Sequence, residues 1–247
     1  MTEERLERCA RLLGTAGLQR LVRSRVVVIG LGGVGSFCVE ALARSGVGRL
    51  RIVDHDVVTP SNCNRQLLAT SATLGQVKVD VMAARLREVA PGTEVDARRQ
   101  FFAAETAEEL LHGDIDAVVD AIDSLGPKVE LLHQCQRRGL FVTAALGAGG
   151  RLDPTRVRVA PLGATHADPL GVQVRKQLRR RGSLDGVDAA FSLEKPRSTI
   201  MGDWDPMTTD LHRGRQRVIQ PSVVMVPAAM GMAIAAHVVG RLSGVER

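Results

Sequence analysis

Three charged residues in the first half of the chain, Arg65, Lys78 and Asp123, are of the types that handle a polyphosphate. Cations placed around a triphosphate stabilise the charge that builds up when its innermost phosphorus is attacked. A carboxylate can hold magnesium against the same phosphates, because carboxylate and phosphate oxygens are that ion's preferred ligands. Ahead of these residues stands Gly30-Leu31-Gly32-Gly33-Val34-Gly35, a G-x-G-x-x-G turn of Gly30, Gly32 and Gly35. Such a turn lets backbone approach a phosphate closely and aims the free N–H groups of the next helix at it. Asp54, 19 residues beyond Gly35, stands where a ribose-binding acid is expected. Alone, these features say only that the chain binds a nucleotide. The polar loop 54–66 separates the readings: it holds Asp54, Asp56, Asn62, Asn64 and Arg65, with Lys78 soon after. A dehydrogenase needs a substrate domain and a proton-transfer group. Cations gathered near a triphosphate suit adenylation instead, in which a carboxylate attacks the α-phosphorus of ATP and pyrophosphate leaves.

The elements that must position these residues follow from periodicity. Residues 25–29 are nearly all β-branched and predict a strand buried on both faces, followed by a helix through Phe37, Ala41 and Leu42. Further strands are expected at 50–54, 94–98, 117–123, 140–144 and, at an edge, 156–159. Helices are expected at 77–89, 127–138 and 169–181. Lys78 falls in a first helical turn, where the dipole already carries positive charge; an anion between them explains it, and so does a solvated surface lysine. Asp123 either serves a magnesium ion or caps the following helix. Thr106-x-x-Glu109 reads as a capping box. Residues 3–22 form a helical arm with Leu6, Ala10, Leu13 and Leu18 as its apolar points. Residues 182–220, rich in Gly, Asp, Ser and Pro, read as a crossover loop without regular structure. Residues 222–242 are nearly long enough to span a bilayer, but Pro227, Gly231, His237 and many alanines predict a helix buried in protein.

The alternation of strand and helix predicts an α/β fold, a Rossmann-like and mostly parallel sheet with helices on both faces. Within a single domain over 1–247, the arm is 1–24 and the nucleotide-binding core 25–160. A basic helix and crossover follow at 161–220, and the C-terminal apolar helix at 221–247. No cationic region leads into an apolar run at the N-terminus, so a cytoplasmic setting is expected. The four cysteines, Cys9, Cys38, Cys63 and Cys135, are spread without a C-x-x-C pair, which supports neither zinc nor a disulfide framework. The net charge of +6 suits an acidic partner such as RNA. Only four of the 33 basic residues are lysines, however, and that skew reads as composition bias. Clustering is therefore better evidence than number. Arg175, Lys176, Arg179 and Arg180 lie at i,i+4 along one side of a predicted helix without acidic partners. Like charges so spaced destabilise a helix, which leaves a polyanion or a solvated face as the reason for them.

The glycine turn, Asp54-x-Asp56-x-Val58-x-x-Ser61-Asn62-x-Asn64-Arg65-Gln66, Gly75-Gln76-x-Lys78 and Asp120-Ala121-Ile122-Asp123 together resemble the ThiF/MoeB-like adenylating superfamily, relatives of the ubiquitin-activating enzymes. Arg11-Leu12-x-Gly14, Glu40-Ala41-Leu42-Ala43-Arg44-Ser45-Gly46, Gly149-Gly150-x-x-Asp153-Pro154-Thr155-Arg156, Asp168-Pro169-Leu170 and Phe191-Ser192-x-Glu194-x-Pro196 extend the resemblance to the tRNA threonylcarbamoyladenosine dehydratase family over almost the whole chain. The resemblance implies a homodimer that uses ATP and Mg2+, with a monovalent cation as a further candidate, to cyclise threonylcarbamoyladenosine in tRNA with loss of water. It implies ATP contacts from Gly30, Gly32, Gly33, Gly35, Asp54, Asp56, Asn62, Arg65, Lys78 and Asp123. Of these, Asp54 would hold the ribose, Asn62, Arg65 and Lys78 the phosphates, and Asp123 the magnesium. Arg11 would reach across the dimer, making Arg65, Lys78, Asp123 and Arg11 the catalytic set. Arg175, Lys176, Arg179 and Arg180 would meet tRNA. Two other readings stay open: activation of a Gly-Gly-ended sulfur carrier, and a non-catalytic nucleotide-binding partner in a cysteine desulfurase and sulfur-acceptor system. Where many family members have a cysteine before the Phe-Ser pair, this chain has Asp188-Ala189-Ala190.

Overall fold

A computed structural model describes residues 2–197 and 220–245. The first strand, β1 (Arg25–Ile29), pairs in parallel with β2 (Arg49–Val53) on one side and β4 (Ala117–Asp120) on the other. With β3 (Glu94–Arg98), β5 (Val142–Ala145), β6 (Val157–Pro161) and β7 (Val187–Ser192), the sheet runs β3-β2-β1-β4-β5-β7-β6. All neighbours are parallel except the edge pair β6–β7. Strand order therefore reverses between β1 and β4, and the crevice outside their carboxyl ends is where sheets of this type take ligands.

Alternation along each strand divides the core. Val26, Val28, Leu50, Ile52 and Val119 face one way, with α3 (Gly35–Arg44), α4 (Lys78–Val89) and α8 (Met225–Ser243) over them. Val27, Ile29, Val53, Val118 and Val142 face the other way, under α5 (Ala107–Leu110), α6 (Leu125–Arg137) and α7 (Pro169–Arg179). The helices thus cover both faces, as the βαβ alternation requires.

Residues 187–192 correct the sequence reading of 182–220 as a loop throughout. They are β7, paired with Val142–Ala145 of β5. The strand escaped notice because both of its faces are covered, which removes the two-residue alternation, and because alanine is a poor strand signal. Residues 198–219 of that expected loop lie outside the described residues. The capping box at Thr106 does not form. Its hydroxyl donates to Phe101 O and Ala103 O in the preceding turn, and no side chain caps α5. The arm is two helices, α1 (Thr2–Arg5) and α2 (Glu7–Arg23), the second broken at Gly14, whose φ is 72°. Leu6 and Leu18 close over Gly46 in the turn after α3.

The C-terminal helix α8 lies against the domain. Val226, Met230, Ile234 and Val238 are fully buried, and Arg20 of α2 donates to Ser243 O at its end. Gly231 is what lets α8 approach α3: a Cβ there would stand 2.4 Å from Val34 O and 3.0 Å from Cys38 N. Glu40 joins α3 to α4, accepting from Arg85 at 2.5 and 2.9 Å and from Arg44 at 2.8 Å. Burial pushes its carboxyl up, but the two guanidiniums outweigh that and hold it below the usual carboxylate range.

Two stability measurements follow. Gly231→Ala should cost about 1–3 kcal/mol by overpacking, seen as a lower thermal midpoint. Glu40 has a depressed folded-state pKa, so its contribution is complete above its ordinary value of 4.5 and is lost as pH falls through the folded value. Glu40→Gln should therefore lower stability by about 1–3 kcal/mol near neutral pH, with the difference closing in acid, as denaturant titrations at stepped pH would record.

Candidate active site

The crevice between β1 and β4 is built on glycine. Gly30 leaves β1 at φ 97°, and its missing Cβ would stand 2.7 Å from Ala121 O, just past β4. A Cβ on Gly35 would fall 1.8 Å from Gly30 O and 3.1 Å from Ala121 Cβ. Gly32 opens onto free space, whereas Gly33 abuts Arg65 and Pro227. Helix α3 then begins with no acidic residue in its first turn and no side-chain cap; Ser36 N donates to Gly32 O and Cys38 N to Val34 O, and the positive end of the helix dipole meets the loop. This is a cradle for phosphate.

Asp54 braces the cradle. It is 8% exposed, and it accepts from Leu31 N at 2.6 Å and from Asp56 N at 2.8 Å. The residue expected to hold a ribose thus first ties the glycine loop to the end of β2. Asn62 is buried too, and its Oδ1 accepts from Thr59 N at 3.1 Å, closing the turn that carries Arg65. Arg65 donates to Ser61 O at 2.7 Å and Asn64 Oδ1 at 2.9 Å, and its backbone carbonyl lies beside Gly33. Ser36, not singled out from sequence, donates to Gly32 O and accepts from Leu67 N, lashing the Arg65 loop to α3.

Lys78 is neither solvated nor alone. It is 4% exposed in the first turn of α4, with Nζ 3.0 Å from Asp56 Oδ2. Asp56 also meets His55 Nε2 at 3.2 Å, and His55 stands edge-on to Phe101. Asp123 is exposed just past β4, immediately before Ser124, the N-cap of α6. Ser124 donates to it at 3.3 Å from the N-cap position of α6.

The other acid of the β4 end, Asp120, is spoken for. Lys128 of α6 donates to Asp120 Oδ2 at 2.6 Å with both side chains fully buried, and Ile122 N donates to Oδ1. Burial drives the Asp120 carboxyl up against the pull of that ammonium. Removing one partner of such a pair typically costs about 3–5 kcal/mol. Sequence reasoning missed Lys128, since a lysine in a predicted helix reads as surface. These commitments sort the donors for magnesium. Asp120 is consumed by Lys128, and Asp54 by backbone N–H groups. Although ligand atoms of Asp54, His55 and Asp56 lie within 4.8 Å of one another, Lys78 already answers Asp56. Asp123 fits, because magnesium characteristically takes one or two carboxylates and completes its shell with phosphate oxygens and water.

Arg11 is not brought to this group: it stands on α2 with a side chain 78% exposed, paired with Glu7. The basic helix is also divided. Arg175 folds back to donate to Thr165, whereas Lys176, Arg179 and Arg180 are exposed, Arg180 as the C-cap of α7. At the other end of α7, Asp168 accepts from Gly171 N and Gly147 N and pairs with buried Arg151 at 3.0 Å. Arg151 and this pairing were not foreseen, although an Asp-Pro helix start signals the cap itself.

The ThiF family profile matches residues 5–247. The tRNA threonylcarbamoyladenosine dehydratase of Bacillus subtilis (strain 168) is 40% identical over 228 residues, 92% of this chain and 90% of that protein. The Escherichia coli K12 protein of the same name is 37% identical over 193 residues, 75% of this chain and 72% of its own length. The crystal structure of E. coli tRNA N6-threonylcarbamoyladenosine dehydratase, TcdA, in complex with ATP is similar with a TM-score of 0.86 at 32% identity, covering 98% of this chain and 95% of that one. On sequence and fold alike, this chain belongs to the ThiF family.

Proposed function

We propose that this chain is the ATP-dependent dehydratase that cyclises N6-threonylcarbamoyladenosine in tRNA, by adenylating the threonyl carboxylate. The observation that supports the reading is a glycine loop leading into a helix N-terminus without acidic residues, with the backbone of Arg65 packed against that loop at Gly33. The dehydratase relatives, matched over most of their length, supply the substrate class, and the TcdA complex with ATP supplies the nucleotide.

In this reading the triphosphate lies on the 30–35 loop and the first turn of α3. The threonyl carboxylate oxygen attacks the α-phosphorus, the bond to the β-phosphate bridge breaks, and pyrophosphate leaves. Arg65 and the α3 N–H groups stabilise the charge gathered on the phosphoryl oxygens. Lys78, paired with Asp56, is the second cation of this reading. Asp123 would hold magnesium, which would supply Lewis-acid chemistry. A nitrogen or oxygen of the same side chain then attacks the acyl carbon, losing its proton, and AMP departs with the former carboxylate oxygen. The sum is loss of water from the tRNA side chain as ATP becomes AMP and pyrophosphate. Holding both reacting groups on one side chain makes the closure intramolecular.

No thioester enters this scheme. The position before Phe191 is Ala190, buried in β7, and burial pushes the Cys135 thiol up to about 12. A sulfur-acceptor partner is accordingly not needed for the chemistry. Exposed Arg11 and its neighbour Leu12, 80% exposed, are surface that a second copy would use, as the homodimer reading asks. A tRNA substrate agrees with the cytoplasmic setting expected from the sequence.

Incubation of tRNA bearing threonylcarbamoyladenosine with enzyme, ATP and Mg2+ should yield a nucleoside lighter by one water, with stoichiometric AMP. Arg65→Ala should lower kcat about 100-fold or more, in line with the loss of a preorganised donor, while the fold is kept. An unchanged nucleoside mass with intact ATP binding would overturn the assignment. For the RNA contact, Arg179→Glu/Arg180→Glu should raise KM for tRNA and flatten the salt dependence of tRNA binding by roughly two charges, with the affinity for ATP unchanged.

A further inference from the structure

We infer that Lys128, through its buried ion pair with Asp120, is the positioning residue that aims Asp123 and seats the glycine loop against ATP. This rests on the adenylation reading above. Asp120 ends β4 and Lys128 lies at the start of α6, so the pair brackets the turn 121–124 that carries Asp123. Three backbone N–H groups tie that turn to β1, to Asp120 and to Lys128. Ala121 N donates to Ile29 O at 2.8 Å, Ile122 N donates to Asp120 Oδ1 at 3.1 Å, and Lys128 N donates to Ser124 O at 3.1 Å. Lys128 Nζ then locks Asp120 from beneath at 2.6 Å.

On its upper side the same turn is the floor of the phosphate cradle. Ala121 fills the space that a Cβ on Gly30 or Gly35 would need. A displacement of Asp120 therefore moves Asp123 and loosens the contact with the glycine loop together. Lys128 does not reach the nucleotide itself, being fully buried with its ammonium on Asp120. A buried ion pair is weak evidence for stability, since apolar residues of like volume commonly serve the fold as well. What such residues cannot supply is a directed bond that fixes the carboxylate and, through it, the turn.

The test is calorimetric titration of ATP into the full chain with and without MgCl2, alongside steady-state kinetics, for Asp120→Asn/Lys128→Met and for Asp123→Asn. The paired variant replaces the charges with neutral side chains of similar shape. It should melt near the parent protein and bind metal-free ATP a few-fold more weakly, through the loosened glycine loop. It should lose about 10- to 100-fold of the affinity gained on adding magnesium, the usual effect of removing a support behind a metal ligand, with a matching fall in kcat/KM for ATP. A pair that only supports the fold would move the melting temperature and leave the magnesium gain intact, and that result overturns the inference. Asp120→Asn/Lys128→Gln, which keeps the acceptor for Ile122 and leaves no buried charge unpaired, is read in the same way if the first pair does not fold. Asp123→Asn separates the two layers. If it loses the magnesium gain while the paired variant keeps it, the positioning role fails alone. If Asp123→Asn also keeps the gain, the metal assignment beneath it is wrong.

Discussion

The contact on which the site depends is between backbone and backbone: Gly35 above the carbonyl of Gly30, and both against Ala121 beyond β4. No side chain fits there. A methyl group on Gly35 would overlap the Gly30 oxygen, forcing α3 away from β1, and the loop would no longer present its N–H groups toward the crevice. The reversal of strand order makes the contact possible, because only there do the ends of β1 and β4 lie side by side with chain leaving in opposite directions. The fold supplies the crevice, and glycine keeps it open.

Beneath that surface lies a set of charges removed from water, each answered by a partner. Asp54 is met by two backbone N–H groups, Asp120 by Lys128, Lys78 by Asp56, and Asp168 by Arg151 and Gly147. An isolated charge at such depth would be far too costly, so the pairing is obligatory. Its placement is informative: all four groups sit where strands end at the carboxyl edge of the sheet or where the following helices begin. The parts of the molecule that the proposed reaction would use to hold phosphates are joined by directional bonds, whereas the strands behind them are joined by apolar packing that specifies fit less sharply.

What could be read from the chain follows from the same division. The strand at 25–29, the glycines, Asp54 and the helix at 77–89 were legible because each is a local pattern, a run of β-branched residues or a spacing of fixed period. The role of Asp54 was legible only in part, since no sequence rule says that its oxygens first bind Leu31 and Asp56. Lys128 was illegible because its partner is eight positions away across a strand–helix junction, a contact no helical period encodes. The strand β7 was hidden by alanines and by burial on both sides. Arg175 counted as one of four like cations, and the fold turned it inward to Thr165. Local pattern gave the elements, but tertiary pairing decided which charges face solvent.

That last point bears on how a large substrate would be met. Asp168, at the start of α7, is bonded to Gly147 just past β5 and so lies at the carboxyl edge of the sheet. The far end of α7 meets the end of α6, where Gln136 donates to Ser183 O and Asp185 O. Eleven helical residues separate the two, or about 16 Å at 1.5 Å per residue. Exposed Arg179 and Arg180 therefore sit a helix length from the edge that holds the phosphate cradle. Part of their charge answers the negative end of the α7 dipole, as cations at a helix C-terminus do. The remainder is available to a partner that extends well beyond one nucleoside. In the proposed reaction the adenosine reaches the crevice while the RNA backbone behind it runs toward the basic end. In that proposal chemistry and RNA contact would fall at the two ends of α7, whose first turn is bonded to the loop after β5.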